Sequence, residues 1–131
     1  LQALYQWSFN KLDLASIEEQ FRADNDFSHT DVEYFQNLLR GVTRNVGTLE
    51  AVFSPVIDRT LDELDAVERN LLRMGTFELR YRSDIPYKVV INEAVSLAKK
   101  FGATESHRFI NGVLDKLSQS LRSIERPEKR K

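Results

Sequence analysis

Residues 83–121 contain two stripes of apolar side chains at helical spacing, and Gly102 separates them. The first stripe consists of Val90, Ile91, Ala94, Leu97, Ala98 and Phe101, and the second of Phe109, Ile110, Val113, Leu114, Leu117 and Leu121. Side chains three and four residues apart share one face of an α-helix, so each stripe predicts a helix with a buried face. Pro86 is expected at the first position of the first helix, and Gly102 in the left-handed conformation after its end. Thr104 or Ser106 is expected to cap the second helix.

The rest of the chain repeats this helical period and contains almost no strand signal. Capping boxes at Ser16–Glu19, Thr30–Glu33 and Asp65–Glu68 predict three further helix starts. The box at Thr30 is expected to open a long helix with an apolar stripe of Val32, Phe35, Leu38, Leu39, Val42 and Val46. Gly47 is expected to divide that helix, and Pro55 to end it by pushing Ser54 out of helical geometry.

These patterns predict an all-α protein, a bundle of about six or seven helices. Pro55 and the polar stretch around residues 55–63 predict two packed subdomains, roughly residues 1–55 and 60–124, that share one core. The whole of residues 1–124 is therefore expected to form a single domain, and the charged residues 125–131 a disordered tail.

Composition narrows the class of protein. The 131 residues are 41% hydrophobic and 30% charged, which is ordinary for a globular domain, and none is cysteine. Disulfides and thiolate metal sites are thereby excluded, and a reducing cytoplasmic location is expected. Apolar runs are only a few residues long, so we expect no membrane span.

Charge is unevenly distributed although the net charge is only −1. Residues 1–84 carry 9 Lys and Arg against 15 Asp and Glu, whereas residues 85–131 carry 10 against 5. The last seven residues account for part of this asymmetry. A chain polarised in this way can attract phosphate at one end.

No pattern in the sequence indicates catalysis, a metal site or a cofactor. His29 and His107 are far apart in sequence, and each lies near a predicted helix start. The chain has no His-x-x-x-His pair, no calcium loop and no Gly-rich phosphate loop. We therefore expect a protein that is not an enzyme.

Three cations and two aromatic residues surround Gly102, and we call them the corner cluster: Lys99, Lys100, Phe101, Arg108 and Phe109. Each has a structural explanation, because cations stabilise helix C-termini and both rings continue apolar stripes. Together they have the properties that single-stranded RNA requires, since its bases stack on rings while Lys and Arg hold phosphates.

A second candidate surface combines Tyr5 and Trp7 with Glu68, Arg69 and Arg73. Tyr5 and Glu68 belong to different predicted helices and can face one partner. The alternative is that Trp7 is a core residue and Glu68 only completes a cap. Sequence spacing leaves both interpretations open.

Five segments resemble the NusB family of bacterial transcription antitermination factors. They are LQALYQW (1–7), YFQNLLRGV (34–42), RNLLRMGTFEL (69–79), IPYKVVINEAVSLAKKFG (85–102) and SHRFINGVLDKL (106–117). The resemblance covers nearly the whole chain and implies an all-helical fold of two packed helical subdomains.

The resemblance also implies a function. NusB proteins bind the boxA element of ribosomal RNA leader transcripts together with NusE, a small-subunit ribosomal protein. The complex joins RNA polymerase and other Nus factors and suppresses premature termination. The corner cluster is then expected to contact RNA, and Tyr5, Glu68 and Glu105 to lie on or beside the partner surface. The negative charge of Glu105 is expected to moderate RNA affinity.

The resemblance also bears on RNA affinity and on oligomeric state. NusB proteins usually begin with an arginine-rich segment ahead of the LQALYQW match, and the present sequence starts at that match, so weaker RNA binding is expected. Some family members self-associate through the RNA-binding face, so a homodimer is possible. Two alternatives stay open: an auxiliary domain of a ribosomal RNA cytosine methyltransferase, and a module that binds only proteins.

Overall fold

The computed structural model describes residues 1–4, 19 and 29–123. Residues 2–4 and 19 are helical, and five α-helices follow one another in residues 29–123: α1 (His29–Arg44), α2 (Val46–Phe53), α3 (Ala66–Tyr81), α4 (Tyr87–Phe101) and α5 (Ser106–Leu121). Two short 3-10 helices, Ser54–Val56 and Leu61–Glu63, connect α2 to α3. These ranges contain no strand, and the all-α prediction is confirmed. The cap predicted at Ser16 and the tail at 125–131 lie outside the described residues.

Helix α3 lies at the centre and packs against α1, α2, α4 and α5. It begins as predicted, because the Asp65 carboxylate accepts from the Glu68 N–H at 2.8 Å while Glu68 reaches back to the Asp65 N–H at 3.3 Å. Every residue from Asn70 to Leu79 is buried. Removing a leucine side chain from water contributes about 1.5–3 kcal/mol, so this helix supplies much of the core.

The charged groups that α3 buries are paired, whereas the buried hydroxyl of Thr76 has no hydrogen-bond partner in the described residues. The Glu50 carboxylate on α2 accepts from Arg69 at 2.7 Å and from Arg73 at 2.8 Å. At the other end, the buried Arg122 guanidinium donates to the carbonyls of Glu78, Leu79 and Arg82 at 2.7–3.0 Å. A cation that bonds the last carbonyls of a helix satisfies acceptors left without an N–H partner, so Arg122 stabilises the C-terminus of α3.

Two glycines allow neighbouring helices to approach α3 closely. A Cβ added at Gly41 on α1 would overlap the Phe77 ring, and one at Gly75 on α3 would lie 2.7 Å from a methyl group of Leu114 on α5. Glycine is a weak helix former, and the closer packing of the helices offsets this cost at the two positions.

Three helix boundaries before α3 differ from the predictions. Helix α1 begins at His29, so Thr30 lies inside it and does not cap it. The break between α1 and α2 falls at Asn45 and not at Gly47, because the Asn45 side-chain amide donates to the Gly41 carbonyl at 2.7 Å and competes with the helical backbone. Ser54 keeps helical dihedral angles, so the expectation that Pro55 displaces it is wrong. Pro55 lies at the start of a 3-10 turn, where its missing N–H is not required.

Candidate functional site

Helices α4 and α5 form a hairpin whose corner is four residues long, from Gly102 to Glu105. Ala98 and Ile110 are fully buried on either side of the corner and hold the two helices together. Lys99, Lys100 and Phe101 occupy the last turn of α4, while Arg108 and Phe109 occupy the start of α5. The structure therefore brings all five residues of the corner cluster to one end of the hairpin.

Gly102 makes the corner possible through its size. Its φ of −92° and ψ of 176° are extended, so the predicted left-handed conformation is wrong. A Cβ at this position would lie 2.7 Å from the Ala98 carbonyl oxygen and 3.0 Å from the Cβ of Ser106. Glycine is required here because the start of α5 passes directly over the end of α4.

Helix α5 begins without the predicted hydroxyl cap. Glu105 occupies the cap position and makes no side-chain capping bond, so neither Thr104 nor Ser106 caps the helix. Ser106 is the first helical residue, and its hydroxyl donates instead to Glu68 Oε2 at 2.9 Å. A tertiary partner takes the hydroxyl away from the local backbone and fixes the start of α5 against α3.

The end of α4 presents a ring and two cations to solvent. Phe101 is 40% exposed although it continues the apolar stripe of its helix. The Lys100 ammonium lies 5.2 Å from the centroid of that ring, and Lys99 is also exposed. An exposed ring beside ammonium groups can stack on a base while the cations hold phosphate oxygens.

Phe109 is half-buried, and its ring is covered by a residue that sequence analysis missed. The Arg59 guanidinium carbon lies 4.0 Å from the centroid of the Phe109 ring, within cation–π range. Arg59 belongs to the segment between the two 3-10 helices, which is fifty residues away along the chain. No local motif indicates this pairing, because it depends on how that segment packs against α5.

Arg108 and Glu105 form an exposed ion pair at the corner, with 3.3 Å between Arg108 Nε and Glu105 Oε2. Their side chains are 77% and 68% exposed, so the pair contributes little to stability. Both groups therefore remain accessible to a ligand, and the Glu105 carboxylate partly neutralises the Arg108 guanidinium.

Of the residues expected on a partner surface, only Glu105 is exposed in the described chain. Glu68 is 8% exposed, and its two carboxylate oxygens bond to the Asp65 N–H and the Ser106 hydroxyl. The alternative interpretation, that Glu68 completes a cap, is thus confirmed as its structural role. Tyr5 and Trp7 lie outside the described residues.

Other kinds of site have little support in residues 1–4, 19 and 29–123. No group of three His, Asp or Glu side chains in these ranges is arranged to hold a metal ion. No helix there is both long enough and apolar enough to cross a bilayer.

Comparison with known proteins identifies the family. The model of the NusB family matches residues 1–119. The transcription antitermination protein NusB of Serratia proteamaculans is 51% identical over 93% of this chain and 88% of its own length. The NusB protein of Pseudomonas savastanoi pv. phaseolicola is 53% identical over 95% of this chain and 75% of its own length. These relatives are antitermination proteins and not enzymes, in agreement with the sequence analysis.

Solved structures agree with the sequence relatives. A crystal form of Thermotoga maritima NusB superposes with a TM-score of 0.83 at 32% identity and covers 91% of this chain and 84% of its own. A NusB protein in complex with NusE and double-stranded RNA superposes with a TM-score of 0.81 at 25% identity, over 90% of this chain and 89% of its own. From its fold, its sequence and its family-model match, the chain belongs to the NusB family of transcription antitermination proteins.

Proposed function

We propose that this protein is a non-catalytic RNA-binding factor that recognises the boxA element of ribosomal RNA leaders together with NusE. In this proposal the complex joins RNA polymerase and other Nus factors in the cytoplasm and suppresses premature termination. The observation that carries the proposal is the corner of the α4–α5 hairpin, where exposed cations and a 40% exposed Phe101 ring lie within a few residues of one another. A relative of the same fold in complex with NusE and double-stranded RNA supports the binding of NusE and of RNA, and the preference for an unpaired strand rests on the chemistry of the corner.

The chemistry of the corner favours an unpaired strand. Phe101 offers a ring face to a splayed base, and every base has a π-face that can stack on it. Lys99, Lys100 and Arg108 supply the positive charge that holds the backbone phosphates near that ring. A duplex hides its base faces, so the stacking part of this site would be unused by a regular helix.

The partner surface remains a proposal built on Tyr5, Glu68 and Glu105. Of the two members that lie in the described residues, Glu105 is exposed and Glu68 is buried, and Glu105 lies beside Arg108. We propose that NusE binds next to the corner, so that its arrival changes how strongly Glu105 neutralises Arg108. Such proximity would make RNA affinity depend on the partner.

The direct test is RNA binding by the double variant Lys99→Ala with Arg108→Ala. We expect weaker binding to a boxA oligonucleotide at fixed salt, and a salt dependence that flattens by about 0.7 for each phosphate that the variant no longer neutralises. The control is Arg44→Ala with Lys88→Ala, which removes two exposed cations from α1 and from the start of α4. Equal affinity of both double variants, with unchanged helicity, would contradict the proposed site.

A second measurement separates the assembly factor from a module that binds only proteins. The chain is mixed with boxA RNA or a scrambled oligonucleotide, with and without NusE. We expect NusE to increase the affinity for boxA RNA more than for the scrambled strand. Binding of NusE without any gain in RNA affinity would favour the protein-only module.

The methyltransferase alternative has less support. The Serratia and Pseudomonas relatives are matched along 75–88% of their own lengths, and both are antitermination proteins. Self-association is a separate question, which sedimentation of the free chain and of the RNA complex answers.

A further inference from the structure

We propose that Arg59 belongs to the RNA-binding surface, where its guanidinium, stacked on the Phe109 ring, forms the outer layer that an RNA base contacts. Asp58 holds this guanidinium and competes with phosphate for it. The inference rests on the proposed function and changes the role of Phe109 from a direct contact to a support.

The stacking geometry is the first argument. With the guanidinium carbon 4.0 Å from the centroid of the Phe109 ring, that face of the ring is occupied. A base reaches this part of the surface by stacking on the guanidinium itself, whose plane accepts bases as an aromatic ring does. About a third of the Arg59 side chain, 34%, remains exposed to solvent.

The hydrogen-bonding capacity of Arg59 is the second argument. Its Nε donates to Asp58 Oδ1 at 2.9 Å, and this is the hydrogen bond its side chain makes within the described part of the chain. The two terminal nitrogens therefore keep donors that can bind phosphate oxygens or base edges. A guanidinium that can stack and donate at the same time suits single-stranded RNA.

The segment that carries Arg59 is built to hold it in place. The 3-10 helix Ser54–Val56 packs against α5, which carries Phe109. Directly after Arg59, Glu63 accepts from the backbone N–H of Thr60 at 2.9 Å and from its hydroxyl at 3.0 Å. The two ordered turns restrict the backbone of Arg59, and the contacts with Asp58 and Phe109 restrict its side chain, so less conformational freedom is lost when a ligand binds.

Asp58 lowers the affinity of Arg59 for phosphate, in the same way as Glu105 lowers that of Arg108. Its side chain is 77% exposed, so it remains at the surface and can be displaced. The hydrogen bond from Arg59 holds the pKa of the Asp58 carboxyl below its usual range, so the carboxylate is charged at neutral pH. An RNA phosphate that binds the terminal nitrogens therefore competes with a carboxylate that already partly neutralises the guanidinium.

The experiment measures boxA RNA binding by the whole chain, with and without NusE, for Arg59→Ala, Arg59→Lys and Asp58→Asn. We expect Arg59→Ala to weaken binding on the order of tenfold and to flatten the salt slope by about 0.7. Arg59→Lys should keep the salt slope but still bind more weakly, because an ammonium does not stack. Asp58→Asn should bind more tightly, and Asp58→Asn combined with Arg59→Ala should match Arg59→Ala alone.

Arg44→Ala is the matched control, since it removes one exposed arginine from α1. The proposal is overturned if Arg59→Ala and Asp58→Asn both bind RNA like Arg44→Ala, while Lys99→Ala with Arg108→Ala still weakens binding. In that case the proposed function survives. If the corner variant also binds normally, both proposals fall. Melting temperatures identify a variant that is merely unfolded. If Arg59→Ala unfolds, Asp58→Asn still tests the proposal, because Asp58 is exposed and its substitution should leave the fold intact.

Discussion

The Ser106 hydroxyl donates a 2.9 Å hydrogen bond to the Glu68 carboxylate, and both side chains are buried. The bond joins the first residue of α5 to the first turn of α3. Ser106 lies two residues before Arg108, so this buried hydrogen bond also fixes the position of the exposed corner.

Replacing Ser106 by alanine should destabilise the protein by about 1–3 kcal/mol, because one Glu68 oxygen then stays buried without its donor. Urea denaturation measures the free energy of unfolding. The control is Ser120→Ala, an exposed serine on the same helix, which should change it by less than about 0.5 kcal/mol. Equal effects of the two substitutions would show that the Ser106–Glu68 bond contributes nothing.

Gly102→Ala should lower both stability and RNA affinity. The added methyl would lie 2.7 Å from the Ala98 carbonyl oxygen on α4 and 3.0 Å from the Ser106 Cβ on α5, so relief of these contacts moves the start of α5 away from the end of α4. Overpacking of this kind costs about 1–3 kcal/mol. Gly112→Ala on α5 is the matched control, since its Cβ would meet nothing within 4 Å and should stabilise the helix by about 1 kcal/mol. Thermal denaturation and RNA titration of both variants test the prediction, which fails if Gly102→Ala behaves like Gly112→Ala.

Glu50→Gln should destabilise the protein by about 3 kcal/mol at neutral pH, because Arg73 then loses the carboxylate that compensates its buried charge. Burial raises the pKa of Glu50, but the hydrogen bonds from Arg69 and Arg73 outweigh it and the pKa lies below its ordinary value. A lowered pKa means that this stabilisation is present above the unfolded-state pKa and is lost as the pH falls through the folded-state value.

Denaturant titrations between neutral and acidic pH follow this loss, with the exposed Asp62→Asn as control. The wild type and Asp62→Asn should lose the Glu50 contribution on acidification, whereas Glu50→Gln should lack it at every pH. A wild type and a Glu50→Gln variant that differ by a constant amount at all pH values would contradict the prediction.

Tyr34→Phe should raise the pKa of Glu78 further. Burial already raises this pKa, and the 2.6 Å hydrogen bond from the Tyr34 hydroxyl acts against that shift. The pKa of Glu78 is raised, whereas that of Glu50 is lowered, so the two residues affect stability in opposite directions as pH changes. The contribution of Glu78 to stability is present at low pH and is lost as the pH rises through its folded-state pKa. Tyr34→Phe should therefore cost about 1–2 kcal/mol at neutral pH and less in acid.

Carbon-detected NMR titration of the Glu78 carboxyl measures the shift directly. Tyr81→Phe is the control, since Tyr81 is exposed and its ring packs on Phe77, so the loss of its hydroxyl should leave the Glu78 titration unchanged. An unaltered Glu78 titration in Tyr34→Phe would show that the hydrogen bond does not hold this pKa down.

Local chemistry explains where the sequence predicted the structure correctly. The start of α3 was predictable from Asp65–Glu68, because a capping box joins residues only three positions apart. The buried faces of α4 and α5 were predictable because helical periodicity places residues such as Val90 and Ala94 on one side. The position of the corner cluster at one end of the hairpin was also predictable, because only a short connection separates its two halves.

The tertiary structure alone decided which groups meet across long separations. Gly102 was expected for its left-handed conformation and is required for its size, because the start of the next helix crowds it. Glu68 received a buried hydroxyl partner on α5, and Phe109 received a covering guanidinium from Arg59. Sequence by itself determined the helices, the charge of the corner and the family, since these depend on neighbouring residues and on shared motifs. The partner of each side chain depends on packing between segments that are tens of residues apart, and no local spacing encodes it.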